Sequence, residues 1–247
     1  MKHCMERWYN AVGQRFSVRR YRSDPSEEDM ELLKKAADML SVEDARIFIG
    51  QSDLVFRSKW LKYGKIKGTN TYAALIAKDK ADWTAGSVGE AFVLECTALG
   101  LGTCWLGISY RKREINKLLP CGEGEKVRCL ISIGVSNEAY AGRPRKPLDQ
   151  LTGLNQNELI TLPEWQQRAL ECGRLAPSAV NGQPWRFEVS GERITVRRES
   201  DNWGYGRLDC GIAMLHIELG AAHAGVAGEW EHGADRSAFT PYTGKKA

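Results

Sequence analysis

Residues 82–100 have the sequence DWTAGSVGEAFVLECTALG, and residues 202–220 have the sequence NWGYGRLDCGIAMLHIELG. The two segments align without a gap, 120 positions apart. The identical pairs are Trp83 with Trp203, Gly86 with Gly206, Leu99 with Leu219, and Gly100 with Gly220. Both segments are apolar on nearly every side, which predicts two buried helices, over residues 89–101 and 208–227. We interpret the match as an internal duplication of one α+β unit; the alternative is two buried helices that share a few glycines by chance.

Helical and strand patterns alternate around these two helices. Asp24, Pro25 and Glu27 predict a capped helix that ends at Leu40. Thr161 and Glu164 predict another capped helix that ends near residue 175. Strand-length apolar runs occupy residues 46–50, 72–78, 127–135, 186–189 and 193–197, and a further helical pattern covers residues 111–119. Residues 51–70 are expected to form a long connection, and the tail after residue 229 is polar and poorly patterned. The order predicts an α+β fold with mixed or antiparallel sheets flanked by helices.

The composition is that of an ordinary globular protein. The 247 residues are 43% hydrophobic and 27% charged, which excludes a disordered chain. The 35 Lys and Arg residues against 31 Asp and Glu residues give a net charge of +4, which permits an anionic ligand but does not require nucleic acid. The longest apolar run contains Glu95 and is too polar to span a membrane. Seven cysteines without a C-x-x-C pair, and an N-terminus without an apolar signal segment, predict a cytoplasmic protein.

A basic stretch near the N-terminus places Arg15, Ser17, Arg19 and Tyr21 two residues apart. In an extended chain, residues at this spacing point to the same side. Two guanidinium groups and a hydroxyl on one side form a grip for phosphate, because Arg donates paired hydrogen bonds to phosphate oxygens. The alternatives are a solvated basic strand and a contact to nucleic acid.

A second unusual stretch is the loop APSAVNGQPW at residues 176–185. Its two prolines fix its shape, and Ser178, Asn181 and Gln183 offer hydrogen-bond donors and acceptors. A rigid polar loop of this kind can bind the edge of a flat heterocycle. The alternative is a plain connection between a helix and a strand.

Three motifs together resemble the signatures of the FMN-dependent nitroreductase family. They are R-x-S-x-R-x-Y at residues 15–21, G-L-G-T-C-W-L-G at residues 100–107, and A-P-S-A-V-N-G-Q-P-W at residues 176–185. The Arg- and Pro-rich residues 142–148 are similar to that family's C-terminal segment. The resemblance implies a nitroreductase-like α+β fold and FMN as the cofactor.

The resemblance also accounts for the order of the motifs along the chain. Members of this family are usually intertwined homodimers in which the arginine motif of one subunit and the P-S-x-x-N loop of the other contact the same flavin. Here the first half keeps the arginine motif but has LSVED, residues 40–44, where the loop belongs, and the second half keeps only the loop. The resemblance therefore implies that residues 1–157 and 158–247 mimic two subunits and share one flavin site, so that the chain can be a monomer.

The resemblance assigns roles to ten residues of this chain. The phosphate and ribityl end of FMN is held by Arg15, Ser17 and Arg19, helped by Arg143 and Arg145. The flavin is contacted from the second half by Pro177, Ser178 and Asn181, and flavin N5 is offered backbone N–H groups by Leu106 and Gly107. The implied reductant is NAD(P)H, and the implied acceptor is a nitroaromatic, a quinone or another flavin. No side chain is implied as a catalytic nucleophile.

Other chemistries find less support in the sequence. His216, His223 and His232 match no standard zinc spacing, so we expect core packing or a hydrogen-bonded imidazole at His216 and no metal. Two further functions stay open, namely a flavin-binding protein without turnover and a basic nucleic-acid-binding module built on residues 15–22. The expected partner is a small-molecule electron acceptor, with neither nucleic acid nor membrane.

Overall fold

The computed structural model describes residues 2–56, 65–108, 110–119 and 121–242, except for the side chains of Lys2 and His3. The chain forms two compact units: the middle unit, residues 14–142, and the terminal unit, residues 1–13 together with residues 143–247. These boundaries differ from the expected division at residue 157. One reason is that the N-terminal helix belongs to the terminal unit, where the ring of Tyr9 stacks on His223 with centroids 3.8 Å apart. The expected long connection, residues 51–70, lies partly outside the described residues.

The bounds of the elements are as follows. The helices are α1 Lys2–Val12, α2 Glu27–Leu40, α3 Asp82–Ala98, α4 Lys112–Leu118, α5 Leu148–Thr152, α6 Gln156–Thr161, α7 Glu164–Arg174 and α8 Gly206–His223. The strands are β1 Tyr21–Ser23, β2 Ala45–Gln51, β3 Thr71–Lys78, β4 Gly102–Leu106, β5 Glu125–Ser136, β6 Trp185–Ser190, β7 Arg193–Arg198, β8 Gly228–His232 and β9 Arg236–Pro241. In the part of the chain that the structure describes, no helix is long and apolar enough to cross a membrane.

The middle unit is built on an antiparallel sheet in the order β1-β5-β3-β2, with β4 also paired to β5. The central strand β3 is buried from Thr71 to Ala77, as its continuous apolar sequence predicts. The helix α3 packs on this sheet and is buried on most sides. A Cβ at Gly89 would lie 2.4 Å from the indole of Trp105 on β4, so glycine allows the helix and the strand to approach closely.

The terminal unit contains a separate antiparallel sheet in the order β6-β7-β9-β8. The hairpin predicted around Ser190, Gly191 and Glu192 is confirmed as the β6–β7 turn. The prediction that the tail after Glu229 lacks a pattern is wrong, because this segment forms most of β8 and all of β9. The fully buried Phe239 anchors β9, with its ring 5.4 Å from that of Trp230.

The second buried helix, α8, is apolar on most sides like α3. Both predicted helices are present, but α3 begins seven residues before its predicted start, and α8 ends four residues before its predicted end. The residues that the two segments share do not have the same environment, however. Trp83 is buried and Trp203 is 84% exposed. Gly100 ends α3 with φ +78°, whereas Gly220 lies inside α8, where a Cβ would meet the Arg168 carbonyl of α7 at 2.5 Å. The duplication therefore stays a proposal drawn from the sequence.

Two predicted helix caps are wrong. Ser26, not Asp24, caps α2 and forms a capping box with Asp29. Thr161 ends α6 instead of capping α7, which begins after Pro163 without a side-chain cap. In each case the predicted cap residue has another partner: Asp24 accepts from the segment before β3, and the Thr161 hydroxyl donates to the Glu158 carbonyl at 2.8 Å.

The partners of Asp24 lie on the segment that leads into β3. Its Oδ1 accepts hydrogen bonds from the Thr69 hydroxyl at 2.8 Å, the Asn70 N–H at 2.7 Å, and the Thr71 N–H and hydroxyl at 3.0 and 2.7 Å. Burial raises the pKa of Asp24, but these hydrogen bonds outweigh it and lower the pKa below its ordinary value. One carboxylate thus fixes the start of the central strand.

We expect Asp24→Ala to lower the free energy of unfolding by about 3 kcal/mol at neutral pH, because buried donors lose a charged acceptor. Urea denaturation measures this, with the exposed Asp38→Ala as the matched control. Since the folded state lowers the pKa of Asp24, its contribution is present above about pH 4 and is lost as the pH falls below that. Equal stability of the Asp24 and Asp38 variants at pH 7 would contradict the assignment.

Candidate functional site

The arginine motif of the middle unit begins with a buried cation. Arg15 is 8% exposed, and its Nε lies 3.9 Å from Oε1 of Glu90, which is fully buried in α3. The other carboxylate oxygen of Glu90 accepts a hydrogen bond of 2.9 Å from the indole N–H of Trp105. A charged residue is rarely buried in an apolar helix unless it is paired. Glu90 thus holds Arg15 on one side and β4 on the other.

One donor of Arg15 lacks an acceptor in the part of the chain that the structure describes. The Nη1 atom is buried and has no hydrogen-bond partner among the described residues. A buried donor without a partner is costly, and an oxygen of an anionic ligand would satisfy it. Among the features of the middle unit, this guanidinium nitrogen best supports a bound phosphate group.

Ser17 and Arg19 continue the motif in an extended conformation beside β4. Ser17 forms an isolated parallel bridge with Thr103, and the Val18 N–H donates to the Thr103 carbonyl at 2.8 Å. The guanidinium of Arg19 donates to the Ser17 carbonyl at 3.3 Å, so it lies next to Ser17. The three residues predicted to bind phosphate, Arg15, Ser17 and Arg19, therefore lie on one ordered segment.

Leu106 and Gly107 lie at the end of the strand that this segment follows. Leu106 is the last residue of β4, is buried, and pairs with Leu130 of β5. It lies three residues beyond Thr103, or about 10 Å along the strand. The middle unit therefore brings Ser17 and Val18 against the strand that ends at Leu106, with Arg15 and Arg19 on either side of them in the same segment.

The remaining predicted residues belong to the terminal unit, where the loop after α7 forms a short 3-10 turn, Ala179–Asn181. Its backbone is strained, because φ is +49° at Val180, +61° at Asn181 and +48° at Gln183. None of these is glycine, and a β-branched residue at positive φ is an outlier. Pro177 and Ser178 lead into the turn, and the Ser178 hydroxyl accepts a hydrogen bond from the Gln183 N–H at 2.9 Å.

The Arg- and Pro-rich segment is tied to this loop. Arg145 donates to Oδ1 of Asn181 at 2.5 Å, and the Asn181 amide donates to the Pro144 carbonyl at 3.0 Å. The Lys146 N–H donates to Oε1 of Gln183 at 2.7 Å, and the Lys146 ammonium donates to the Gly182 carbonyl at 3.1 Å. Arg143 is exposed. The structure therefore brings Arg145 and Asn181 into direct contact, an arrangement that the resemblance does not assign.

Several residues that shape these segments were not predicted from the sequence. Glu90 and Trp105 position Arg15, and Asn202 and Asp209 contact the loop of the terminal unit. The available signal was an acidic residue within a helix that is otherwise apolar, which indicates a specific partner. The hydrogen-bonded imidazole expected at His216 is confirmed, with Nδ1 lying 3.1 Å from the Cys172 carbonyl.

The comparison with protein families decides the classification of the chain. The family described as "Putative TM nitroreductase" matches residues 7–221. The chain belongs to this nitroreductase family. No curated protein matches this nitroreductase.

Three solved structures are similar to this chain over different lengths. A "putative nitroreductase" from Thermotoga maritima is 24% identical, covers 94% of this chain and 92% of its own, and has a TM-score of 0.68. An FMN-dependent nitroreductase from Clostridium difficile is 21% identical and covers 53% of this chain and 88% of its own, with a TM-score of 0.44. A nitroreductase with bound FMN from Desulfitobacterium hafniense is 16% identical and covers 57% of this chain and 94% of its own, with a TM-score of 0.46. The Thermotoga structure shows the predicted nitroreductase-like α+β fold.

The pair of Arg15 and Glu90 predicts a double-mutant result in this nitroreductase. Glu90→Gln is expected to lower the free energy of unfolding by about 3 kcal/mol, because it leaves the buried guanidinium without its counter-charge. Adding Arg15→Met should recover most of that loss, since no buried charge then remains. Urea denaturation of the four proteins in the cycle measures the coupling. If the two substitutions had independent, additive effects, Arg15 and Glu90 would not act as a pair.

Proposed function

We propose that the chain is an FMN-dependent NAD(P)H oxidoreductase. The observation that carries the proposal is the buried Nη1 of Arg15, which has no hydrogen-bond partner among the residues that the structure describes. It lies at the start of an ordered segment that passes β4, the strand that ends at Leu106. Membership of a nitroreductase family supports the same conclusion. When bound, FMN would accept a hydride from NAD(P)H and deliver it to a nitroaromatic, a quinone or another flavin.

The residues of the middle unit fit the polar end of such a cofactor. Arg15 and Arg19 would donate charged hydrogen bonds to the phosphate, and Ser17 would bind it or the ribityl chain. The backbone N–H groups of Leu106 and Gly107 would meet the reacting edge of the ring. Glu90 fixes the Nε side of Arg15, which leaves the Nη1 side for the ligand.

The loop of the terminal unit would orient the flavin ring and exclude water from it. Pro177 and Ser178 are held by a turn whose shape is fixed by many hydrogen bonds, which reduces the entropy lost on binding. Because Arg145 and the Pro144 carbonyl use both ends of the Asn181 amide, Arg145 would support Asn181 in addition to any contact with phosphate. The exposed Arg143 would then add positive charge at longer range.

We further propose one flavin site per chain. The arginine motif and the P-S-x-x-N loop each occur once in the sequence, and each half lacks the motif that the other keeps. A duplicated chain that mimics a dimer would therefore retain one of two ancestral sites. The same argument makes a monomer our working proposal, and seven cysteines without a C-x-x-C pair make a cytoplasmic location our working proposal.

Arg19→Ala should weaken FMN binding by about tenfold to a hundredfold, the value of a charge-assisted hydrogen bond. Riboflavin, which lacks the phosphate, should bind to the variant and to the original chain with affinities that differ by less than about twofold. Fluorescence titration measures both ligands, and Arg22→Ala, which removes an exposed arginine of the same stretch, serves as the control. An equal loss of affinity for FMN and riboflavin would show that Arg19 does not bind the phosphate.

Turnover distinguishes an enzyme from a flavin carrier. The purified chain should be yellow, should saturate at one FMN per chain, and should oxidise NADH or NADPH when a nitroaromatic or a quinone is supplied. One FMN without oxidation of either nucleotide would favour a flavin-binding protein without turnover. Two FMN per chain would contradict the single site, and salt-dependent oligonucleotide binding without flavin would favour the nucleic-acid module.

A further inference from the structure

Two neighbouring turns of the terminal unit keep non-glycine residues at positive φ. The first is Ala179–Asn181, and the second is Asn202–Gly204, where φ is +45° at Asn202 and +62° at Trp203. Val180 and Trp203 lie in these turns and are 73% and 84% exposed, so burial of their side chains does not explain the conformation. Each such residue costs about 1–3 kcal/mol, and the conformation persists only where the surroundings hold it.

A buried carboxylate on α8 contacts both turns. Asp209 is 2% exposed, and its Oδ1 accepts a hydrogen bond of 3.0 Å from the Ala179 N–H. Its Oδ2 accepts a hydrogen bond of 2.5 Å from the Asn202 amide, which also donates to the Ala179 carbonyl at 3.0 Å. Asp209, Asn202 and Ala179 therefore form a closed ring of hydrogen bonds.

We propose that Asp209 is a positioning residue for flavin: its carboxylate locks the Ala179 turn to the Asn202 turn, and so holds Ser178 and Asn181 in the conformation that binds the flavin ring. Ala179 lies between Ser178 and Asn181, which the proposed function places against the flavin ring. The inference rests on that proposed function. Asp209 acts through the loop and touches no ligand itself. Its loss should thus affect binding of the ring and leave recognition of the phosphate unchanged.

The protonation state of Asp209 supports this role. Burial raises the pKa of Asp209 to about 7, against the opposing effect of the Asn202 and Ala179 hydrogen bonds. The ionised carboxylate accepts from both donors, whereas a protonated carboxyl must turn an O–H towards one of them and lose that bond. The lock is therefore complete above about pH 7 and weakens below it.

Other ionisable groups lie near this end of α8. Arg198 of β7 and Arg207 of α8 both pair with Asp235, at 2.8 and 3.3 Å, and Asp201 lies 3.7 Å from Arg198. Burial raises the pKa of the Cys210 thiol, which stays protonated. Asp209 itself joins the two turns, so its titration would change the lock near neutral pH.

The substitution Asp209→Asn tests the proposal with little risk to folding. Because the folded pKa of Asp209 exceeds its ordinary value, ionising it costs stability as the pH rises from about 4 to about 7, and Asn removes that cost. Asn keeps an acceptor for the Ala179 N–H, but its own amide opposes the Asn202 amide. The matched control is Glu218→Gln, a half-buried carboxylate of α8 with a raised pKa, which accepts a hydrogen bond of 3.3 Å from the Trp230 indole.

At about pH 8, Asp209→Asn should weaken FMN and riboflavin alike, by about tenfold, the value of one charged hydrogen bond. Glu218→Gln should change either affinity by less than about twofold. A variant that binds both ligands as the original chain does, or that loses FMN but not riboflavin, would overturn the proposal.

The pH profile is a second readout. Riboflavin is the ligand for it, because the FMN phosphate itself titrates near about pH 6. Affinity for riboflavin should fall from about pH 8 to about pH 6 in the original chain and should be flat over that range in Asp209→Asn. A flat profile in both proteins would overturn the proposal.

Hydrogen exchange separates failure of this inference from failure of the proposed function. Without any ligand, the Ala179 amide should exchange about tenfold faster in Asp209→Asn than in Glu218→Gln, while the α8 amides remain alike. If Ala179 exchanges faster in Asp209→Asn but the original chain binds no flavin, the proposed function is rejected and the structural role of Asp209 is retained. Unchanged exchange at Ala179, with FMN still bound by the original chain, would reject the lock alone.

Discussion

The loop between Pro177 and Gln183 has a backbone that the local preferences of Val180 and Gln183 do not explain, and other residues of the terminal unit hold it. Three of its non-glycine residues have positive φ, which costs free energy at each position. Arg145 and Lys146 hold the loop from one side, and Asn202 and Asp209 hold it from another. We interpret this arrangement as the result of selection for the conformation of the loop, at the expense of some stability.

The two units use the same physical device. Each contains a long helix that is apolar on nearly every side and carries one deeply buried carboxylate, Glu90 in α3 and Asp209 in α8. Glu90 fixes Arg15, the first residue of the arginine motif, and Asp209 fixes the loop that we propose to contact the flavin ring. A buried carboxylate must be paired or hydrogen-bonded, so each of the two determines where its partner segment lies.

The elements set by local pattern could be predicted from the sequence. Uniform apolarity placed α3 and α8, and alternation around Gly191 placed the β6–β7 hairpin. The caps of α2 and α7 and the strands β8 and β9 were missed, because they depend on partners such as the Thr69–Thr71 segment and the ring of Trp230. The ionic partner of Arg15 could not be predicted either, since Glu90 is distant in the chain and no local spacing marks the pair. The motifs of the candidate site were visible, whereas the residues that position them were not.

The central claim is that one flavin is bound by both motif sets of a single chain. A crystal structure of the protein grown with FMN tests this most directly. The account predicts one flavin per chain, with its phosphate within hydrogen-bond distance of Arg15, Ser17 or Arg19 and its ring against Pro177, Ser178 or Asn181. A flavin that contacts residues of only one motif set, or whose phosphate lies away from the arginine motif, would contradict it.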